Sequence, residues 1–244
     1  MNDELAPVWL VLFFFAGALV MYFSASVSGM PFLTMIFTPA VTLCAAFGGA
    51  WYAFKLESDK QLREADKMNV AAADRAMFKL IRAVTAFVHF NKQFILSVPA
   101  DSDRDITIKP ATSVVGFDIS IDYDSLTFLY ETSDPDFLQS LSYFEMDVLS
   151  TLETINQRSV LHYEQVQPVI ETLAKFYPNG IPPDAIKFKL GLRGSTAIHD
   201  FTNAMVQGID RHISEGKRHI KTLEKLIEEK YPLHKKLKAT FIEP

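Results

Sequence analysis

The chain has 244 residues, 24 Lys and Arg against 29 Asp and Glu, a formal net charge of −5 and one cysteine. The length allows one ordinary domain plus an additional segment, and the acidic balance argues against a general nucleic-acid binder. A lone Cys44 excludes a disulfide framework within the chain, which suits a cytoplasmic setting.

From Pro7 to Phe54 no Asp, Glu, Lys, Arg or His occurs. An apolar run of this length is too long for one membrane span and suits two. Ser24-Ala-Ser-Val-Ser-Gly-Met-Pro31 supplies a break, so the sequence predicts a transmembrane helical hairpin over residues 1–56, with helices Pro7–Phe23 and Phe32–Phe54. Trp9, Tyr22, Trp51 and Tyr52 fall near the helix ends, where amphipathic rings favour the headgroup zone. A cleaved signal peptide is rejected, because Asp3 and Glu4 stand where Lys or Arg would be needed. Lys55, Lys60, Arg63 and Lys67 follow the second apolar helix, and no basic residue precedes the first. This asymmetry places both termini in the cytoplasm, as in a two-pass protein of the inner (cell) membrane. Thr42, Ala45, Gly49 and Ala53 make a small-residue strip on the second helix, suited to close packing against the first helix or another copy. Pro39 should bend this helix slightly.

Residues 57–244 read as a cytoplasmic helical domain. A long helix is expected over 57–98, with Leu62, Ala73, Leu80, Val84 and Phe87 at helical spacing. Its second half is apolar over about half its circumference, with Arg75, Lys79, Arg82 and Lys92 on the remaining arc. Such a helix either lies on a membrane surface or forms the centre of a bundle, and the need to partner the later helices favours the bundle. Three short runs alternate in polarity: Asp105–Lys109, Phe117–Tyr123 and Ile186–Leu192. They predict a small antiparallel β element, with a β and turn region over 105–123. Helices resume over 134–177, starting at Ser133-Asp-Pro135 and restarting near Pro168, and over 195–230. The fold class is thus a mainly α membrane protein: a two-helix hairpin followed by a bundle with a minor sheet.

No constellation carries recognisable catalysis. Asp101-Ser-Asp-Arg-Asp105 resembles the start of a calcium loop, but Ile106 and Thr112 occupy the positions that require Gly and Glu. His199-Asp200 lacks further ligands, and His212 and His219, seven apart on one helix, read as surface or interhelical residues. No phosphate loop, nucleophile elbow or dinucleotide fingerprint occurs. No enzyme activity, cofactor or metal is therefore expected.

Charge separation remains. Residues 101–171 hold 14 acidic residues against Arg104, Lys109 and Arg158, whereas residues 217–238 hold eight basic residues against three acidic ones. Lys217, Arg218, Lys221 and Lys225 could meet lipid, an acidic partner or nucleic acid, the last only through this C-terminal helix. The expected function is a membrane-anchored scaffold or sensor that acts through protein–protein contacts and self-association. The alternative is a two-span membrane-perturbing effector held in check by its cytoplasmic domain.

Overall fold

Between Pro31 and Pro99 only Pro39 removes a backbone donor, and strong helix formers such as Ala, Leu, Met, Lys and Glu fill much of the interval. In the computed structural model this stretch is one helix, α1 (Pro31–Phe90), which ends in a π-helical turn, Asn91–Ile95. The structure describes residues 15–20, 22–23, 31–99, 103–111 and 119–232, with the side chains of 31–38 and 40 excepted. A single helical turn, α2 (Arg104–Thr107), and a 3-10 helix, Asp124–Glu131, come next. They are followed by α3 (Phe137–Leu161), a π-helical turn at His162–Val166, α4 (Gln167–Ala174) and α5 (Pro183–Lys230). Pro168 clashes with the carbonyl four residues before it in a regular helix, and the wider π turn absorbs that conflict. In α5 the helix breaks at Gly191, whose φ of 72° suits a residue without a Cβ.

The chain divides into two units, Met1–Asp66 and Lys67–Pro244. In the second, the C-terminal half of α1 packs with α3 and α5 around Leu80, Val84, Leu141, Val148, Ile209 and Ile220. Helix spacing is set partly by two glycines of α5. A Cβ on Gly208 would lie 2.7 Å from Thr151 Oγ1, and one on Gly216 would lie 2.4 Å from Val84 Cγ2. Only glycine permits so close an approach. The burial of Met77, Leu80, Val84 and Phe87 places this part of α1 in the bundle core. A smaller cluster, Ile106, Val166, Ile186 and Ile198, joins α2 to the α4–α5 end.

Two expectations are corrected. Among the described residues no helix is long and apolar enough to cross a membrane, which overturns the transmembrane hairpin, the multi-pass location and the topology built on it. Past Phe54, α1 continues without a break into Lys55, Glu57, Asp59 and Lys60, charges that a bilayer core does not accommodate. Trp9, most of Pro7–Phe23 and the Ser24–Met30 break lie outside the described residues.

The β element is likewise absent among the described residues. Asp105–Lys109 overlaps α2, and Ile186–Leu192 is part of α5. Phe117 and Asp118 lie outside the described residues, and Ile119–Tyr123 is irregular. Its alternation is nevertheless real: Ile119 and Ile121 are buried, while Ser120 and Asp122 are exposed. Helix side chains, not a neighbouring strand, meet its polar groups. Glu145 accepts the Ile121 N–H (3.4 Å) and the Tyr123 hydroxyl (2.6 Å), and Lys79 donates to the Ser120 carbonyl.

Candidate interaction surfaces

The polar groups of the bundle fall into an inner set that holds the fold and an outer set available to partners. At the centre of the inner set is Arg158, 1 % exposed. Its Nε donates to Thr202 Oγ1 (2.9 Å), and Nη2 donates to the carbonyls of Ile108 (2.6 Å) and Asp105 (3.0 Å). The planar guanidinium thus ties α2 and the segment after it to α3 and α5. Burial lowers Arg158 to about 10, opposed by the Asp105 carboxylate, so it remains a cation at neutral pH. Asp105 is buried too, with Lys187 Nζ at 3.8 Å and His199 Nδ1 at 3.4 Å. Lys187 also bonds Asp103 at 2.9 Å. The carboxylates that resemble a calcium loop are thus engaged by cations. Asp101 and Ser102 lie outside the described residues. Among the described residues no group of three or more His, Cys, Asp or Glu is placed to hold a metal ion.

His212 and His219 are interhelical and buried. His212 Nε2 is 2.8 Å from Thr151 Oγ1, and its ring lies 5.2 Å from that of Phe87. Asp147 is 3.8 Å from His212 Nδ1, beyond hydrogen-bond reach, and instead bonds Arg211 at 2.6 Å. Desolvation holds His162, His212 and His219 below the usual histidine value.

The outer set includes most of the residues singled out in the sequence. Arg75 and Arg82 are exposed on α1 and Lys92 on the π-helical turn that ends it, and Lys79 is engaged with Ser120. On α5, Arg218, Lys221 and Lys225 are exposed and Lys217 is half-buried; with Ser214 and Thr222 they border one shallow, open depression. The structure therefore brings the α5 cations together on one face. Lys235, Lys236 and Lys238 lie outside the described residues.

In the first unit, Thr42, Gly49 and Ala53 are exposed and Ala45 is half-buried. A Cβ on Gly49 would meet no atom within 4 Å, so the strip is open at that point. Leu43, Phe47, Trp51 and Phe54 are exposed on the same helix. At 100° per residue those four fall within about 80° of arc, roughly opposite the small residues.

Sequence reasoning missed two features. One is Arg158, counted only as a charge; its signal is an arginine in phase with Val148, Thr151 and Ile155 on the inner face of α3. The other is an apolar outer stripe on α3 and the π-helical turn after it, with Tyr143, Met146, Leu149, Val160 and Tyr163 all exposed. These residues recur at helical spacing out of phase with the buried face, a pattern visible in the sequence. No protein-family model matches the chain, and no curated protein or solved structure compared with it matches either.

Proposed function

We propose that this chain is a helical scaffold that works through protein–protein contacts and associates with copies of itself through residues 41–56 of α1. The observation that carries this reading is the exposure of Leu43, Phe47, Trp51 and Phe54 on one face, with Phe47 70 % and Phe54 75 % exposed. Contiguous apolar patches of this kind mark interaction sites in folded proteins. The same helix has a bulky face and, across from it, the flat strip of Ala45, Gly49 and Ala53. A bulky face of one copy fits a flat strip of the next. Burying four such side chains contributes roughly 6–12 kcal/mol, which the cost of association, about 4–15 kcal/mol, largely offsets. The contact is therefore reversible and depends on concentration. The membrane-perturbing alternative required two spans and is not carried further.

The test is the size distribution of the full chain, measured by sedimentation and by chemical crosslinking. Phe47→Ser with Trp51→Ser should shift the chain to smaller species without loss of helix content. Gly49→Leu, which fills the strip, should do the same. A distribution unchanged in both variants would reject this surface as the contact.

A further inference from the structure

Among the described residues of the second unit, the most exposed large apolar side chains are Phe188 (89 %), Leu192 (85 %) and Phe176 (72 %). All three belong to the turn that joins α4 to α5 and to the first part of α5. The inward side of this corner is filled: Ile186 is buried with Val166 and Ile198, and Leu173, Ile181 and Leu190 pack against them. Phe188 lies two residues from Ile186 and from Leu190, about 160° around the helix, and so points away from that cluster. The break at Gly191 ends this first part of α5 just before Leu192 and Arg193.

The same corner is cationic. From 172 to 198 the sequence has Lys175, Lys187, Lys189 and Arg193 against Asp184 alone, in a chain whose net charge is −5. Lys187 is taken up by Asp103 at 2.9 Å and by Asp105 at 3.8 Å. Lys175, Lys189 and Arg193 are exposed, and among the described residues none of the three forms an ion pair. Apolar side chains and cations without counter-charge therefore alternate over 188–193, with Lys175 and Phe176 repeating the pairing where the turn begins.

An occupant of this corner has to be anionic and has to accept apolar groups. Side chains exposed as fully as Phe188 and Leu192 stand clear of their own chain and make no flat patch. A protein interface relies on a packed patch of matched shape, whereas the fluid headgroup zone of a bilayer takes up separate apolar side chains. Anionic lipid also attracts each nearby Lys or Arg, and the long stems of these residues let the apolar neighbours sink while the charges stay among the phosphates.

We infer that the α4–α5 corner docks reversibly on an anionic lipid surface. Phe188 and Leu192 enter the interface, and Lys189, Arg193 and Lys175 meet the lipid phosphates. The contact reaches headgroup depth and needs no helix that crosses the bilayer. It is separate from the self-association proposed for α1.

The test uses the full-length chain with Phe47→Ser and Trp51→Ser, which removes the α1 stripe as a source of lipid binding. The chain is sedimented with vesicles of phosphatidylcholine alone or of phosphatidylcholine and phosphatidylserine in equal parts. Binding to the anionic vesicles, weakened by salt, is expected. Phe188→Ser with Leu192→Ser should lower the binding constant roughly ten-fold or more. Lys189→Glu with Arg193→Glu should do the same and remove the preference for phosphatidylserine. Unchanged unfolding midpoints would show that these variants fold. A nitroxide attached at Leu192→Cys, in a chain with Cys44→Ser, should become shielded from an aqueous relaxant when anionic vesicles are added. No binding to either vesicle, binding that neither pair of substitutions weakens, or a nitroxide that stays in water would each overturn the inference. A nitroxide shielded without vesicles as the chain is concentrated would overturn it too and assign the corner to a contact between copies. Self-association through α1 is read separately, from the size distribution without lipid.

Discussion

Along α1 the same kinds of side chain meet two different ends. Between residues 41 and 56, Leu43, Phe47, Trp51 and Phe54 are exposed. Between 70 and 95, Val70, Leu80, Val84, Phe87 and Ile95 are buried. Apolar content does not separate the two stretches; the pattern does. In the second, charged residues alternate with apolar ones at helical period, and one face can close on α3 and α5 while Arg75, Arg82 and Lys92 stay wet. In the first, uncharged residues cover the whole circumference, and no single neighbour can bury them all. A patterned helix completes a core, whereas an evenly apolar one is left to be covered by something else.

If that contrast holds, the second region carries the stability of the second unit. Its largest single contribution should be Arg158. Arg158→Met would leave the carbonyls of Asp105 and Ile108 without their donor and the buried Asp105 charge with less compensation. A loss of about 3–5 kcal/mol is expected in urea unfolding. Phe47→Ala, in the exposed stretch, should change the same measurement by no more than about 0.5 kcal/mol when copies are dilute. Comparable losses from the two would erase the distinction.

A smaller effect sharpens it. Gly216→Ala places a methyl group against the stiff, buried Val84 and should destabilise by about 1–3 kcal/mol. Adding Val84→Ala should recover part of that loss, giving a favourable coupling between the two sites. Gly49→Ala meets no neighbour within 4 Å of its Cβ. It should leave the unfolding midpoint in place or raise it slightly, since alanine favours helix. No recovery from the Val84 change would mean that Gly216 is not a contact point.

The smallest effect is in pH. His162, His212 and His219 are all held below the usual histidine value, chiefly by burial. The folded chain therefore prefers neutral imidazoles, while the unfolded chain takes up protons as the pH falls below about 6.5. Stability should be complete above that pH and should decline below it. Asp122, Glu131 and Glu229, with lowered carboxyl values, add their own loss only below about 4.5. His212→Asn should flatten the slope between pH 7 and 5, read as urea midpoints; substitutions at Phe47 or Trp51 should not. A slope unchanged by His212→Asn would remove that histidine from the pH response.

Periodicity in the sequence was sufficient for the parts of the fold that depend on local chemistry. The long helix ending before Pro99, the restart near Pro168 and the amphipathic C-terminal helix all follow from proline positions and apolar spacing. So does the grouping of Lys217, Arg218, Lys221 and Lys225 on one face, because helical geometry fixes it. Tertiary structure decided the rest. Within Ile119–Asp122 the alternation marks which side chains are buried, but a strand also needs a partner. In the described Ile119–Tyr123 part, Lys79 and Glu145 bind the backbone groups instead. Gly208 and Gly216 become legible only once two helices approach within a methyl's reach. Arg158 is buried because carbonyls at 105 and 108 and a hydroxyl at 202 converge on its guanidinium, all of them more than 40 residues from it in the chain. The reason is common to all three: a residue's own chemistry states its preference, and only the groups gathered around it in space decide whether that preference is met.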